Sequence, residues 1–104
     1  MKVRSRPADC VEQLKVLADT TRLAVLELLL RKPWRVGELR RALGIEQSLL
    51  SHHLALLREA GFVDTIRQGK TILYRLAPGM ACTSSGKGLD LGCCQLTFSR
   101  TRRR

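Results

Sequence analysis

The stretch Ile45-Glu46-Gln47-Ser48-Leu49-Leu50-Ser51-His52-His53-Leu54-Ala55-Leu56-Leu57-Arg58-Glu59-Ala60-Gly61 has the pattern of a helix that docks by one face and offers hydrogen-bonding groups on the other. Leu50, Leu54 and Leu57 recur at i, i+4 and i+7, which sets them on one apolar stripe. Gln47, Ser48, Ser51 and His52 fall on the remaining surface. They are short or planar polar groups, suited to base edges and phosphates in a DNA major groove. The same face would also serve as the solvated side of an ordinary core helix.

The neighbouring segments favour the first reading. Val36-Gly37-Glu38-Leu39-Arg40-Arg41-Ala42-Leu43-Gly44 predicts a short helix closed by a glycine that can take the left-handed conformation. Helix, glycine turn and helix together make a helix-turn-helix plan. Phe62 to Leu76 has hairpin character: Val63, Thr65 and Ile66 precede a polar turn at Arg67-Gln68-Gly69-Lys70, and Ile72, Leu73 and Tyr74 follow it. Gly69 suits a turn position that needs positive φ. A basic hairpin tip directly after a candidate recognition helix resembles the wing of a winged helix-turn-helix, with Arg67 and Lys70 approaching phosphates beside the groove. The fold expected is mainly α with a small β-hairpin.

Four ordered motifs carry a family resemblance over about residues 9 to 77. They are Leu17-Ala18-Asp19-Thr20-Thr21-Arg22-Leu23, then Val36-Gly37-Glu38-Leu39, then Ser51-His52-His53-Leu54 with Leu57-Arg58-Glu59-Ala60-Gly61, and finally Gly69-Lys70 followed by Tyr74-Arg75-Leu76. In these the chain resembles the ArsR/SmtB family of metal- and thiol-sensing bacterial repressors. The resemblance implies a homodimer that binds a palindromic double-stranded DNA operator and lets go when an inducer binds. It places the base-reading positions at Ser48, Ser51 and His52, with Gln47 at the start of the helix. His53 matches the family's second histidine, but its place beside the apolar stripe favours a packing or buried hydrogen-bonding role.

Length and charge agree with that plan. A chain of 104 residues allows one domain with a modest core, so association is an expected further source of stability. Three parts are expected: a basic arm over 1–8, the winged domain over 9–77, and a Gly/Ser/Cys-rich segment over 78–104 with an arginine-rich end. The net charge is +10, of which Lys2, Arg4, Arg6, Arg100, Arg102, Arg103 and Arg104 supply +7, leaving +3 for residues 7–99. These ends can hold DNA phosphates without reading sequence, or act as disordered solubilising tails. No apolar run approaches membrane-spanning length and the amino terminus lacks a signal-peptide pattern, so a cytoplasmic protein without a membrane partner is expected.

Further helices precede the central motif. Asp9 can cap a first helix, with Glu12 three residues on and Val11, Leu14 and Leu17 as its apolar face. In the family this helix joins the dimer interface; alternatively it closes the monomer core. A second helix, starting near Asp19 or Thr20, carries Leu23, Val25, Leu26, Leu28, Leu29 and Leu30 nearly all round and is expected to be central and stopped by Pro33. Trp34 is expected to cover the core with its ring. Arg35, Arg40 and Arg41 fit either phosphate contacts or a solvated face.

After Pro78 the glycines Gly79, Gly86, Gly88 and Gly92 argue against one continuous helix, since each interior glycine costs about 1 kcal/mol relative to alanine. This departs from the family, whose wing is usually followed by a helix. Leu89, Leu91 and Cys93 share one parity and Cys94, Leu96 and Phe98 the other, which predicts a short strand interrupted at the cysteine pair.

The cysteines hold the remaining chemistry. In a cytosolic protein, Cys10, Cys82, Cys93 and Cys94 are expected as reduced ligands or redox groups. Tetrahedral zinc is poorly supported, for the chain has no Cys-x-x-Cys pair and no histidine after His53. The family's best-known sites are also missing, because Arg40 and Ala42 stand where metal sensors carry cysteines. Some members sense trivalent arsenic or antimony through a cysteine trio outside the usual helix, which implies Cys82, Cys93 and Cys94 as an inducer site for arsenite or antimonite; three thiolates suit such a soft ion. No cofactor is expected to be needed for DNA binding. The alternatives are a thiol-redox or persulfide switch that pairs Cys82 or Cys10 with the adjacent Cys93-Cys94, inert packing cysteines, a nonspecific nucleic-acid binder, and a protein-interaction module. An enzyme is not expected, as no glycine-rich phosphate loop or positioned acid accompanies the histidines and cysteines.

Overall fold

The computed structural model describes residues 7–82 and 87–99. Helix α1 (Pro7–Leu17) starts earlier than the Asp9 cap expected from the sequence. Pro7 occupies its first helical position, where a missing N–H costs nothing and φ is already suited to a helix. Helix α2 (Thr20–Leu29) does begin with an acidic cap: Asp19 Oδ1 accepts from the Thr21 N–H at 3.0 Å. Such a cap is worth about 1 kcal/mol. Within α2 only Thr20 and Glu27 are exposed, while Val25, Leu26 and Leu29 are buried, so this is the central helix. It stops at Leu30, just short of Pro33.

Strand β1 (Trp34–Arg35) leads into α3 (Val36–Leu43) and α4 (Gln47–Glu59). Glu38, at the third position of α3, reaches back to accept from the Arg35 N–H at 3.0 Å, which closes the helix start. That hydrogen bond holds the Glu38 carboxyl below its ordinary pKa, helped by Lys32, Arg35 and Arg41 nearby. At the other end Gly44 has φ +67°, and its N–H bonds the Arg40 carbonyl at 2.8 Å. The left-handed residue reverses the chain so that α4 can cross α3, the turn of the helix-turn-helix.

Strands β2 (Val63–Gln68) and β3 (Thr71–Leu76) form the expected hairpin, paired from Val63 with Leu76 to Gln68 with Thr71. The two-residue connection Gly69-Lys70 has Gly69 at φ +67°, so glycine sits where a tight hairpin turn needs it. Asp64 and Arg75 face each other across the pair, with Oδ1 2.8 Å from Nε. On the other side of β3, Trp34 pairs with Tyr74, giving the sheet order β1-β3-β2. Trp34 packs half-buried against the core as expected, and its indole N–H donates to the Leu28 carbonyl at 3.1 Å.

The segment after the wing is neither a helix nor one interrupted strand. Strands β4 (Ala81–Cys82), β5 (Gly88–Asp90) and β6 (Gln95–Thr97) form a second antiparallel sheet in sequential order. The two parities seen in the sequence belong to the two arms of a hairpin. Gly92, at φ +91°, makes the reversal, and the Leu91 N–H bonds the Cys94 carbonyl at 2.9 Å across it. Leu89 and Leu91 join Met80 in the same core cluster as Val25, Leu26, Leu39, Leu50, Leu54, Leu57 and Phe62. Phe62 is fully buried, and truncating such a side chain to alanine typically costs about 3–5 kcal/mol. None of the described helices is long and apolar enough to cross a membrane.

Candidate nucleic-acid interface

Helix α4 divides its residues as its periodicity predicts. Leu50, Leu54 and Leu57 are buried, and so is His53, with only 7% of its surface exposed. Gln47, Ser48, Ser51 and His52 are all exposed on the opposite side, and Arg67 and Lys70 are exposed at the hairpin tip. One helix face and one wing tip thus offer hydrogen-bond donors, acceptors and positive charge, the mixture that base edges and phosphates require. The Ser48 hydroxyl donates to Glu46 Oε1 at 3.4 Å, so at the start of this helix a serine is partnered by a carboxylate.

His53 points the other way and is tied down. Its Nδ1 lies 3.1 Å from Arg22 Nη1. Arg22 in turn donates from Nε to the Val16 carbonyl at 2.6 Å and has Asp19 Oδ2 at 3.7 Å from Nη1. One guanidinium therefore joins the end of α1, the cap of α2 and the inner face of α4. Arg22 was not singled out as a site residue from the sequence, because an arginine early in a helix looks like any solvated charge. Its role comes from a contact across 31 positions.

Between α4 and the wing lies an open groove of about 400 Å³, lined by Ser51, Leu54, Ala55, Arg58, Glu59 and Tyr74. Arg58 of α4 and Tyr74 of β3 thus share this groove with Ser51. They add a cation and a phenol to the residues expected from sequence. Arg35, Arg40 and Arg41 are exposed. Lys32 lies over the Trp34 ring, 4.1 Å from its centroid.

The cysteines assemble differently from the expected trio. Cys82 is buried in β4, where its thiol donates to Gln95 Oε1 at 3.4 Å, and it does not join Cys93 and Cys94. Cys10 of α1 takes that place. Cys10 and Cys93 form a disulfide with Cα atoms 5.9 Å apart, and Cys94 Sγ lies 3.9 Å from Cys10 Sγ and 3.7 Å from Cys93 Sγ. The β5–β6 turn explains the change: it presents Cys93 and Cys94 towards α1, while strand pairing turns Cys82 into the sheet. Position along the chain ranked Cys82 nearer the pair, and the fold reverses that order.

Residues 19–65 match the family described as bacterial regulatory protein, arsR family. The biofilm growth-associated repressor of Agrobacterium fabrum is 43% identical over 79 residues, covering 76% of this chain and 68% of that protein. The arsenical resistance operon repressor of Escherichia coli is 44% identical over 69 residues, 65% of this chain and 59% of that protein. Among solved structures, the homodimeric winged helix-turn-helix DNA-binding domain of a possible ArsR-family regulator from Mycobacterium bovis superposes with a TM-score of 0.60 at 32% identity, covering 74% of this chain and 76% of that one. These relatives are named for regulation, none for catalysis. Identity of this order over two thirds of a relative, together with the glycine-turned helix pair and wing described above, places the chain in the arsR family of bacterial regulatory proteins.

Proposed function

We propose that the protein is a homodimeric, sequence-specific repressor that leaves its operator when a thiophilic inducer, arsenite or antimonite, binds its cysteines. The observation that carries the DNA-binding part is the exposure of Gln47, Ser48, Ser51 and His52 on one helix with Arg67 and Lys70 on the adjoining hairpin tip. Val11 and Leu14 support the dimer: on α1 they are 49% and 43% exposed, an apolar pair that a second copy would cover. The inducer part rests on the grouping of three sulfurs between α1 and the C-terminal hairpin, since soft donors prefer soft ions.

The test is operator release. Reduced protein is bound to labelled duplex DNA from upstream of its own gene, and arsenite, antimonite, zinc or a peroxide is added in turn. The reading expects a dimer on a near-palindrome and dissociation with the two trivalent ions only. Tight binding to every duplex tested would reject operator specificity, and retention on DNA at saturating arsenite would reject the inducer.

A second reading has its own observation, the Cys10–Cys93 disulfide. Under it, oxidation is the signal and two electrons leave the thiols as the bond forms. Release by peroxide and indifference to arsenite would favour that reading.

A further inference from the structure

We infer that the groove between α1 and the C-terminal end of α4 is a docking site for the chain's own basic arm, Met1–Arg6, which is held there off DNA until phosphates draw it out. The docking stands apart from the DNA-binding reading above; only its effect on affinity rests on that reading.

The groove encloses about 270 Å³. Its apolar lining is Val16 from α1 with Leu56 and Ala60 from the end of α4, and Glu12, Gln13 and Glu59 complete it. Three of these groups call for a donor or a cation. Gln13 Oε1 is buried with no hydrogen-bond donor, a cost that native structures rarely leave standing. Glu59 has no ion-pair partner among the described residues, although it holds the last position of α4, where the helix dipole is negative and an acid is unfavourable. Glu12 meets only Lys15, at 3.8 Å across the exposed surface of its own helix, an arrangement worth little. In a chain of net charge +10, two such carboxylates beside one apolar groove select a basic segment that also carries an apolar side chain.

The arm has that chemistry and the reach. Lys2, Arg4 and Arg6 alternate with Val3 and Ser5. In an extended segment Lys2 and Arg4 fall on one side, to meet the carboxylates, and Val3 on the other, to meet the apolar lining. Arg6 precedes Pro7, which biases it towards extended backbone. Glu12 and Val16 lie five and nine residues beyond Pro7, about 8 and 14 Å along α1. Six residues extend about 20 Å, so the arm can turn back and still cover both. The run from Arg100 to Arg104 is more basic, but it has only Thr101 among its cations and nothing to lay on Val16 and Leu56. Leu14 sits roughly 160° round α1 from Glu12 and Val16, so a second copy covering Val11 and Leu14 leaves the groove open. Phosphates and the two carboxylates then compete for the same cations. A docked arm releases no counterions from DNA, so it lowers affinity for every duplex alike.

Methyl and amide NMR of full-length, DNA-free protein tests the docking. The parent should show cross-peaks from Val3 to Val16 or Leu56. Lys2→Ser/Arg4→Ser/Arg6→Ser should shift the Val16, Leu56 and Ala60 methyls and the Gln13 side-chain amide, and leave Leu14 in place. Salt at about 1 M, where the screening length is about 3 Å, should reproduce those shifts. Glu12→Gln/Glu59→Gln should abolish the Val3 cross-peaks. On random duplex this groove variant should bind several-fold more tightly than the parent, with a salt slope steeper by about one to three, ~0.9 for each phosphate contact the arm gains. In the arm-neutralised background the same two substitutions should change nothing. Groove resonances unmoved by neutralising the arm would overturn the docking. So would cross-peaks between differently labelled chains, which mean an arm from a second copy, or shifts produced instead by Arg100→Ser/Arg102→Ser/Arg103→Ser/Arg104→Ser. A gain in duplex affinity that persists without the arm's charges would assign it to direct repulsion by Glu59, which also borders the groove beside the wing, and would overturn the restraint. Because the NMR readout contains no DNA, docking found in a protein that binds all duplexes equally would reject the operator reading and leave this inference standing.

Discussion

Arg22 of α2 donates to His53 of α4 across 3.1 Å, from inside the protein, directly beneath the helix that carries His52 on its outer face. The helical repeat alone thus sends two adjacent histidines to opposite faces, one exposed and one buried. Because Arg22 can only donate, Nδ1 of His53 must accept, which puts the ring proton on Nε2.

Removing the guanidinium should loosen the recognition helix. Arg22→Ala leaves the Val16 carbonyl and His53 Nδ1 without their donor, at a cost of about 1–3 kcal/mol for buried groups. Urea unfolding should show the loss, and operator affinity measured where the variant is still folded should fall too. An unchanged denaturation midpoint would mean that the network is ornamental.

Recognition-helix and wing residues should fail in different ways. Ser51→Ala or His52→Ala should cost about 1–3 kcal/mol on the operator and little on random duplex, because base contacts discriminate. Lys70→Ala should weaken both and lower the slope of log affinity against log salt by about one. Titrations at several salt concentrations separate the two classes, and equal losses on both duplexes for the helix variants would contradict base reading.

Gly44 tests the turn itself. A Cβ built there meets no atom within 4 Å, so alanine has space, yet φ is +67°. The cost of Gly44→Ala should therefore be backbone strain alone, about 1–2 kcal/mol. Asn at the same position should recover part of it, because asparagine tolerates this region better. Thermal unfolding of the pair against the parent decides.

Glu38 gives a pH signature with a defined sign. Its carboxyl is held below its ordinary value of 4.5, chiefly by the hydrogen bond from the Arg35 N–H. A group depressed in the folded state stabilises above its unfolded pKa, and that contribution is lost as pH falls through the folded one. The parent should thus exceed Glu38→Gln in stability at neutral pH, with the gap closing below about pH 4.5. Carbon-13 titration of the Glu38 carboxyl should place its midpoint below that of the exposed glutamates.

The elements that were legible in the sequence are those whose signals are local. The α4 stripe, Gly44 and the Gly69 turn each depend on residues within a few positions of one another, and the structure has all three where they were expected. The start of α1 departs from the expected Asp9 cap because Pro7 already suits the first helical position. The C-terminal segment showed its alternation but not its reversal, since one glycine at φ +91° turns a broken strand into a hairpin. The meeting of Cys10 with Cys93 lies beyond any periodicity: 83 positions separate them, and only the packing of α1 beside the last turn brings them together.

The Cys10–Cys93 bond also makes a covalent ring of the chain from α1 through the helix-turn-helix and the wing to the last hairpin. A protease that cuts any one peptide bond inside it cannot separate the pieces; the oxidised protein stays one molecule, heavier by a water. On the chain-entropy account a ring of this size removes about 4–5 kcal/mol of freedom from the unfolded chain. A nicked oxidised repressor therefore keeps its recognition helix and wing on one tether, whereas a nicked reduced one is free to fall apart. Damage to this protein would be recorded or forgotten according to the state of two thiols.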